Sequence, residues 1–442
     1  MIANPSRESS FRAGKAGERS RSILSEMAGK ECSEGMRSLP VPMLLGVSIA
    51  LAVGAQSGQA SFPGTNGKIV FASERSKAGG RVIWLTPPTG GSLRRIKTRF
   101  SYHQGPAWSP DGRSVAFGAY PAEGIGAEIF VVTDDGRRLR RLTRNRVGDA
   151  SPAWSPDGAR IVFVSSLRQR SDLYVMNADG TGRRRLTRTA LCESNPAWSP
   201  DGTKIAFVNS CARDPRPLWV MNADGRHARR IGTGNRPSWS PDGSQIAVAT
   251  GFPGYPSSVV VLARDGSNQR IVTEGAEPTW SPDGRQLAFV KNESGPCDPT
   301  QVVTRIYAIN LDGTGETRVT PRVGRYSCDA ADEDPDWQPR CTRYGSKRDN
   351  RVTGTAGRDV LCALAGRDII RAGGGDDVVL GGDGKDVIYG GSGKDWLFGG
   401  AGNDLILARD GKPDIVNGGP GHDRARIDRG LDRLSGVERV LR

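Results

Sequence analysis

Histidine is nearly missing from these 442 residues: three occur, at 103, 227 and 422, and no two are close in sequence. That speaks against a histidine-based zinc site and leaves little for histidine acid–base chemistry. A Gly-x-Ser-x-Gly elbow and a phosphate-binding glycine loop are also missing, which removes the common hydrolase and nucleotide signatures. Aromatics make up 6% of the chain, and no long helical apolar period stands out. The main apolar run, Val41 to Val53, is too short for a comfortable membrane span. Glycine (59) and proline (28) are plentiful instead. That is the composition of many short strands joined by tight turns. The net charge of +14 comes largely from scattered arginine, as in Arg183-Arg184-Arg185. Such residues discourage edge-to-edge strand pairing rather than mark a nucleic-acid footprint, so no nucleic-acid partner is expected.

Residues 1–35 are polar and are expected to be disordered or an upstream extension. Residues 36–60 read as a secretory signal: Met36-Arg37, the apolar run, then Gly58-Gln59-Ala60 as a cleavage site. The competing reading is an uncleaved N-terminal anchor. With Cys32 set aside, six cysteines are left: 192, 211, 297, 328, 341 and 362. An even number in an exported chain points to disulfides. The expected location is extracellular or extracytoplasmic, with no transmembrane span in the mature chain.

The middle of the chain is a repeat. Pro106-Ala-Trp-Ser-Pro-Asp-Gly112 returns from 152, 196, 237 and 278, placing Trp at 108, 154, 198, 239 and 280. Each copy continues with four short runs of strand character, the turns set by Ser-Pro-Asp-Gly and Asn-Ala-Asp-Gly. Four antiparallel strands every 41 to 46 residues is the unit of a β-propeller. Asn66–Ala72 matches the segment after Asp-Gly, and Asp334–Pro339 matches the Trp segment, so the last strand is expected to complete the first blade. Six blades then close over 61–341. The tryptophans are expected to pack between blades, and Asp111, Asp157, Asp201, Asp242 and Asp283 to fix turns. Strand order puts Cys192, Cys211, Cys297 and Cys328 on the longer-looped face, paired as 192–211 and 297–328. That face is the expected surface for a protein or glycan partner. The repeat resembles that of TolB-type propellers, whose units carry Pro-x-Trp-Ser-Pro-Asp-Gly followed by Ile-x-Phe. The resemblance implies the fold and no single activity.

After an expected basic linker, 342–353, the period changes to nine. Asp recurs at 359, 368, 377, 386, 395 and 404, then after a one-residue slip at 414 and 423. This resembles the nonapeptide of RTX (hemolysin-type) calcium-binding proteins. The resemblance implies a parallel β-roll over 354–429, calcium as cofactor, and metal ligands at Asp359, Asp368, Asp377, Asp386, Asp395, Asp404, Asp414 and Asp423. Two nonapeptides make one coil, so residues 18 apart stack and supply the oxygen shell calcium prefers. Leu361, Ile370, Val379, Ile388, Leu397 and Ile406 should fill the core. Leu364 departs from the glycine pattern, so the first coils are expected to bind poorly or only cap. Residues 430–442 are expected to be a tail, and Cys341 and Cys362 to pin the roll to the propeller exit.

The expected fold is all-β: a six-bladed β-propeller followed by a parallel β-roll. The expected function is that of an exported calcium-binding scaffold or binding protein, not an enzyme. The alternative is a propeller hydrolase or lyase acting on glycans or phosphoesters, and it requires a carboxylate cluster at one tunnel mouth.

Overall fold

In the computed structural model, the residues described are 62–75, 80–121, 126–167, 170–189, 191–212, 216–251, 257–294, 302–321 and 331–441. The signal segment 36–60 and the pair Cys297 and Cys328 lie outside them. Among the described residues there is no helix, hence none long and apolar enough to cross a membrane.

Six four-stranded sheets form the propeller. Five are consecutive in sequence. The remaining one pairs Asp332–Arg340 with Thr65–Ser73, so the two ends of the domain close the ring as expected. Each blade begins on its innermost strand, which is almost wholly buried (His103–Trp108, Glu193–Trp198), and ends on an exposed, arginine-bearing edge strand such as Arg184–Arg185. The repeat residues do what their chemistry suggests. Trp108, Trp198, Trp239, Trp280 and Trp337 are among the most buried side chains. In the turns, Ser109 Oγ and the N–H of Arg113 both donate to Asp111 Oδ1, and the same arrangement recurs at Asp157, Asp201, Asp242 and Asp283.

From Cys341 onward two six-stranded parallel sheets stack face to face. Register runs in steps of 18, Val360 opposite Val378 and Ile370 opposite Ile388. It becomes 19 at Trp396 opposite Ile415, where the slipped residue is absorbed. Leu361, Ile370, Val379, Ile388, Leu397 and Ile406 form the core, as expected.

Two boundaries move. The segment read as a linker is the roll's first coil: Arg343–Tyr344 pairs with the strand Val360–Gly366, and Arg351–Thr353 with Ile369–Gly374. The segment read as a tail holds the last coil, Arg433–Ser435 and Arg439–Val440. Neither coil keeps the glycine pattern, so its membership rests on strand pairing alone.

The outward positions of the roll's first sheet are apolar. Val360, Cys362, Val378 and Phe398 are buried with Cys341, and Leu364, Leu380 and Trp396 pack beside them. They lie against the Ser-Pro-Asp-Gly turns. Val378 and Trp396 share a groove with Ser240–Gln245 and Asp283, and Leu364 and Leu380 share another with Asp111 and Asp157. The Arg113 guanidinium sits 4.5 Å from the Tyr344 ring centre. The Cys341–Cys362 disulfide fixes the junction, and Cys192–Cys211 staples two loops on the opposite propeller face, both as expected. The roll therefore covers the short-turn face.

Candidate metal centre

Each nonapeptide aspartate follows a glycine-rich bend and precedes a strand, which fixes its side chain at the edge of the roll. All eight are buried, none more than 6% exposed. One carboxylate oxygen of each stacks on the coil before. The N–H of Asp359 donates to Asp377 Oδ1 (2.7 Å), and that of Asp377 to Asp395 Oδ1 (3.0 Å). On the other edge Asp368 donates to Asp386 and Asp386 to Asp404, both at 2.8 Å. The result is two columns. Asp359, Asp377, Asp395, Asp414 and Asp432 form one, and Asn350, Asp368, Asp386, Asp404, Asp423 and Glu438 the other. The expected pairs 18 apart are thus brought together.

The second oxygen is different. Oδ2 of Asp368, Asp377, Asp386, Asp395, Asp404, Asp414 and Asp423 is buried with no hydrogen-bond partner among the described residues. It faces the first glycine of its own bend: a Cβ placed on Gly381, Gly390 or Gly399 would lie 2.9, 2.9 or 2.5 Å from Oδ2 of Asp386, Asp395 or Asp404. A Cβ on the next glycine would run into a carbonyl of the preceding coil, 1.9 Å from Leu364 O at Gly382 and 1.9 Å from Gly373 O at Gly391. Glycine lets the bends stack this closely at those two positions, with φ of 104° and 98°. The donor set is entirely oxygen: carboxylates and backbone carbonyls.

A buried carboxylate without a partner is penalised in its charged form. Burial, with neighbouring carboxylates adding, pushes Asp377 and Asp404 up to about 7 and Asp414 to about 8. Asp386 and Asp395 rise to about 6, again chiefly through burial. A divalent cation facing the free oxygens removes both penalties, and calcium takes about six to eight oxygen ligands. The residues therefore fit the ion. Among the described residues no three His, Cys, Asp or Glu side chains cluster, so backbone carbonyls must supply much of any shell.

Asp359 is the exception. Its Oδ2 accepts the Thr355 N–H (2.6 Å) and hydroxyl (2.7 Å), and Thr342 donates to Oδ1 at 3.2 Å. Burial opposes ionisation, yet these bonds prevail and its pKa is lowered. It closes the end of its column. Asp432 and Glu438 extend the columns unforeseen. Asp432 lies 18 residues after Asp414, a signal the period itself carries, whereas Glu438, 15 after Asp423, has none.

The propeller tunnel holds a second group of carboxylates. The residue before each repeat proline, at 105, 151, 195, 236, 277 and 334, has φ between 51° and 57° on its inner strand. Three of these positions are charged. Arg236 pairs with Glu277 (2.6 Å) and with Asp334, and Asp334 also meets Arg81 at 2.7 Å. Burial pushes Glu277 up to about 8 despite Arg236. Burial also opposes the charge on Asp334, but Arg236 and Arg81 outweigh it and its pKa is lowered. All four side chains are buried, so this is a closed ion-pair network joining the inner strands of neighbouring blades rather than a cluster at an open mouth. His103 is buried too, its ring held by the Arg81 carbonyl at 3.0 Å, and burial lowers its pKa to about 4.

The model of the TolB β-propeller domain matches residues 106–236. The model of the RTX calcium-binding nonapeptide repeat matches 344–379, 380–412 and 389–425. No curated protein matches. Among solved structures, TolB from Acinetobacter baumannii is similar, with 18% identity, 62% of this chain and 67% of that one covered, and a TM-score of 0.52. Kuenenia stuttgartiensis hydrazine synthase is similar over 62% of this chain and 47% of that one, with 16% identity and a TM-score of 0.50. At such identity the likeness shows the fold alone. The chain is a six-bladed β-propeller joined to a parallel β-roll, and the two carry matches to the TolB propeller domain and to RTX calcium-binding repeats.

Proposed function

We propose that this chain is an exported binding or scaffold protein of the envelope or extracellular space, whose roll folds around calcium and clamps one face of the propeller. The observation that carries it is the set of seven buried, unpartnered carboxylate oxygens lined up in two columns. Asp368, Asp377, Asp386, Asp395, Asp404, Asp414 and Asp423 would hold the ions together with carbonyls of the glycine bends. Bound calcium would neutralise stacked like charges and fill their coordination. In such modules metal-binding energy is folding energy, so abundant external calcium would tie the fold to the far side of the membrane. The Cys192–Cys211 bridge suits the same compartment.

With the short-turn face occupied by the roll, the looped propeller face is left for a macromolecular partner. The hydrolase or lyase reading is weakened by the burial and ion pairing of Glu277 and Asp334. The test is a calcium titration of the chelator-stripped full chain, followed by calorimetry and circular dichroism. Uptake in the range of about 10⁻⁴–10⁻³ M with a rise in β-signal, both reduced by Asp386→Ala with Asp395→Ala, is the expected result. Equal β-signal in chelator with no uptake would remove calcium from the account.

A further inference from the structure

The two outward faces of the roll are unlike. The first sheet is apolar and buried on the propeller, whereas the second is exposed and carries Arg351, Arg371, Arg424 and Arg426. No outward position of its first five strands is acidic. Arg351, Arg371 and Arg424 make no ion pair among the described residues. Arg371 lies over the Tyr389 ring, 4.8 Å from its centre, and Tyr389 is itself exposed.

The order of these residues along the roll is informative. Strands of neighbouring coils sit about 4.8 Å apart. Arg351 and Arg371 stand in the first two coils, and Arg424 and Arg426 in the fifth, about 19 Å from the first. Between them come Tyr389 and the half-exposed Leu405 and Leu407. A ligand that fits must be extended, anionic at intervals, and apolar on a flat face between its charges. A chain of uronate sugars has these properties: its advance per sugar is close to the coil spacing, its carboxylates suit arginine forks, and its ring faces suit tyrosine and leucine. Nucleic acid fits less well, because one tyrosine is no row of stacking platforms. A membrane fits less well, because Leu405 and Leu407 are only half-exposed, which leaves little apolar surface to insert.

We propose that the outward face of the second roll sheet binds an acidic polysaccharide of uronate sugars, lying along the roll axis. The test is calorimetric binding of a mannuronate hexamer to the full chain at fixed free calcium. Arg371→Glu with Arg426→Glu should weaken binding at least tenfold, and Tyr389→Ala several-fold. Arg184→Glu, on an edge strand of the propeller, should leave it unchanged. Circular dichroism and calcium uptake keep the variants comparable, and Arg371→Lys, which preserves charge but not the fork, gives a milder second test with an expected loss of a few-fold. No binding of the hexamer would overturn the proposal. So would equal binding of an uncharged dextran hexamer. So would tighter binding of a dT oligonucleotide or of anionic vesicles with Tyr389→Ala without effect, which would make the face a site for a different macromolecule.

Discussion

The propeller and the roll both bury carboxylates, and they neutralise them in opposite ways. In the propeller most buried acids find an arginine: Asp334 has Arg236 and Arg81, Asp332 has Arg75, Asp149 has Arg183, and Glu128 has Arg141, while Asp336 and Glu193 are held by hydrogen bonds from the Trp108 N–H and the Thr189 hydroxyl. In the roll seven aspartates keep one oxygen without a partner, although lysine and arginine are common on its surface. The propeller carries its counter-charges within its own chain. On the proposed reading the roll takes its counter-charges from calcium, so its fold should depend on the ion where the propeller's should not.

Calcium removal should break this symmetry most strongly. With calcium at about a hundred times its dissociation constant, each site contributes about 2.7 kcal/mol, and the roll holds several. Scanning calorimetry of the full chain in chelator should therefore show the roll transition falling far while the propeller transition stays within a few degrees. If both fell together, the two modules would be one cooperative unit and the contrast would fail. Next in size is Arg236→Met. It strands Glu277 and leaves Asp334 with Arg81 alone, and removing one partner of a buried pair costs about 3–5 kcal/mol. The propeller transition should drop and calcium uptake should not change. Smaller again is Trp396→Ala at the docked sheet, at about 1–3 kcal/mol for lost apolar burial. Its effect should fall on the roll, and an unchanged roll transition would mean that docking adds nothing to roll stability.

The extent to which these features can be read from sequence differs by region. Six blades and their closure follow from Trp-Ser-Pro-Asp-Gly and the half-copies at the two ends, because those turns demand particular residues. The aspartate columns follow from the period of nine. The ion-pair network does not, since the residue before each proline varies from Gly105 to Arg236 and only its backbone conformation is constant. The first roll coil is hidden for a similar reason: Cys341 and Asn350 stand where aspartate would, and strand pairing needs no side-chain signature. Docking is visible only when odd and even nonapeptides are compared separately. Trp396 and Phe398 belong to the first set and Arg371 to the second, and a single consensus averages them away.

The finest probe of the contrast is pH in chelator. Asp377, Asp386, Asp395, Asp404 and Asp414 have folded pKa values of about 6 to 8, raised by burial, against an unfolded value of about 3.9. A raised folded pKa means that the folded roll holds more protons than the unfolded chain between those values. Its stabilising effect is therefore full below about pH 4 and is lost as pH rises towards 8. The calcium-free roll should melt higher at pH 5 than at pH 7.5. With calcium present the order should reverse, because protons compete for the same oxygens and acid releases the ion. Melting curves by circular dichroism at the two pH values, with and without calcium, give four numbers. A calcium-free roll that weakens on acidification would mean that its aspartates are paired in solution, as those of the propeller are.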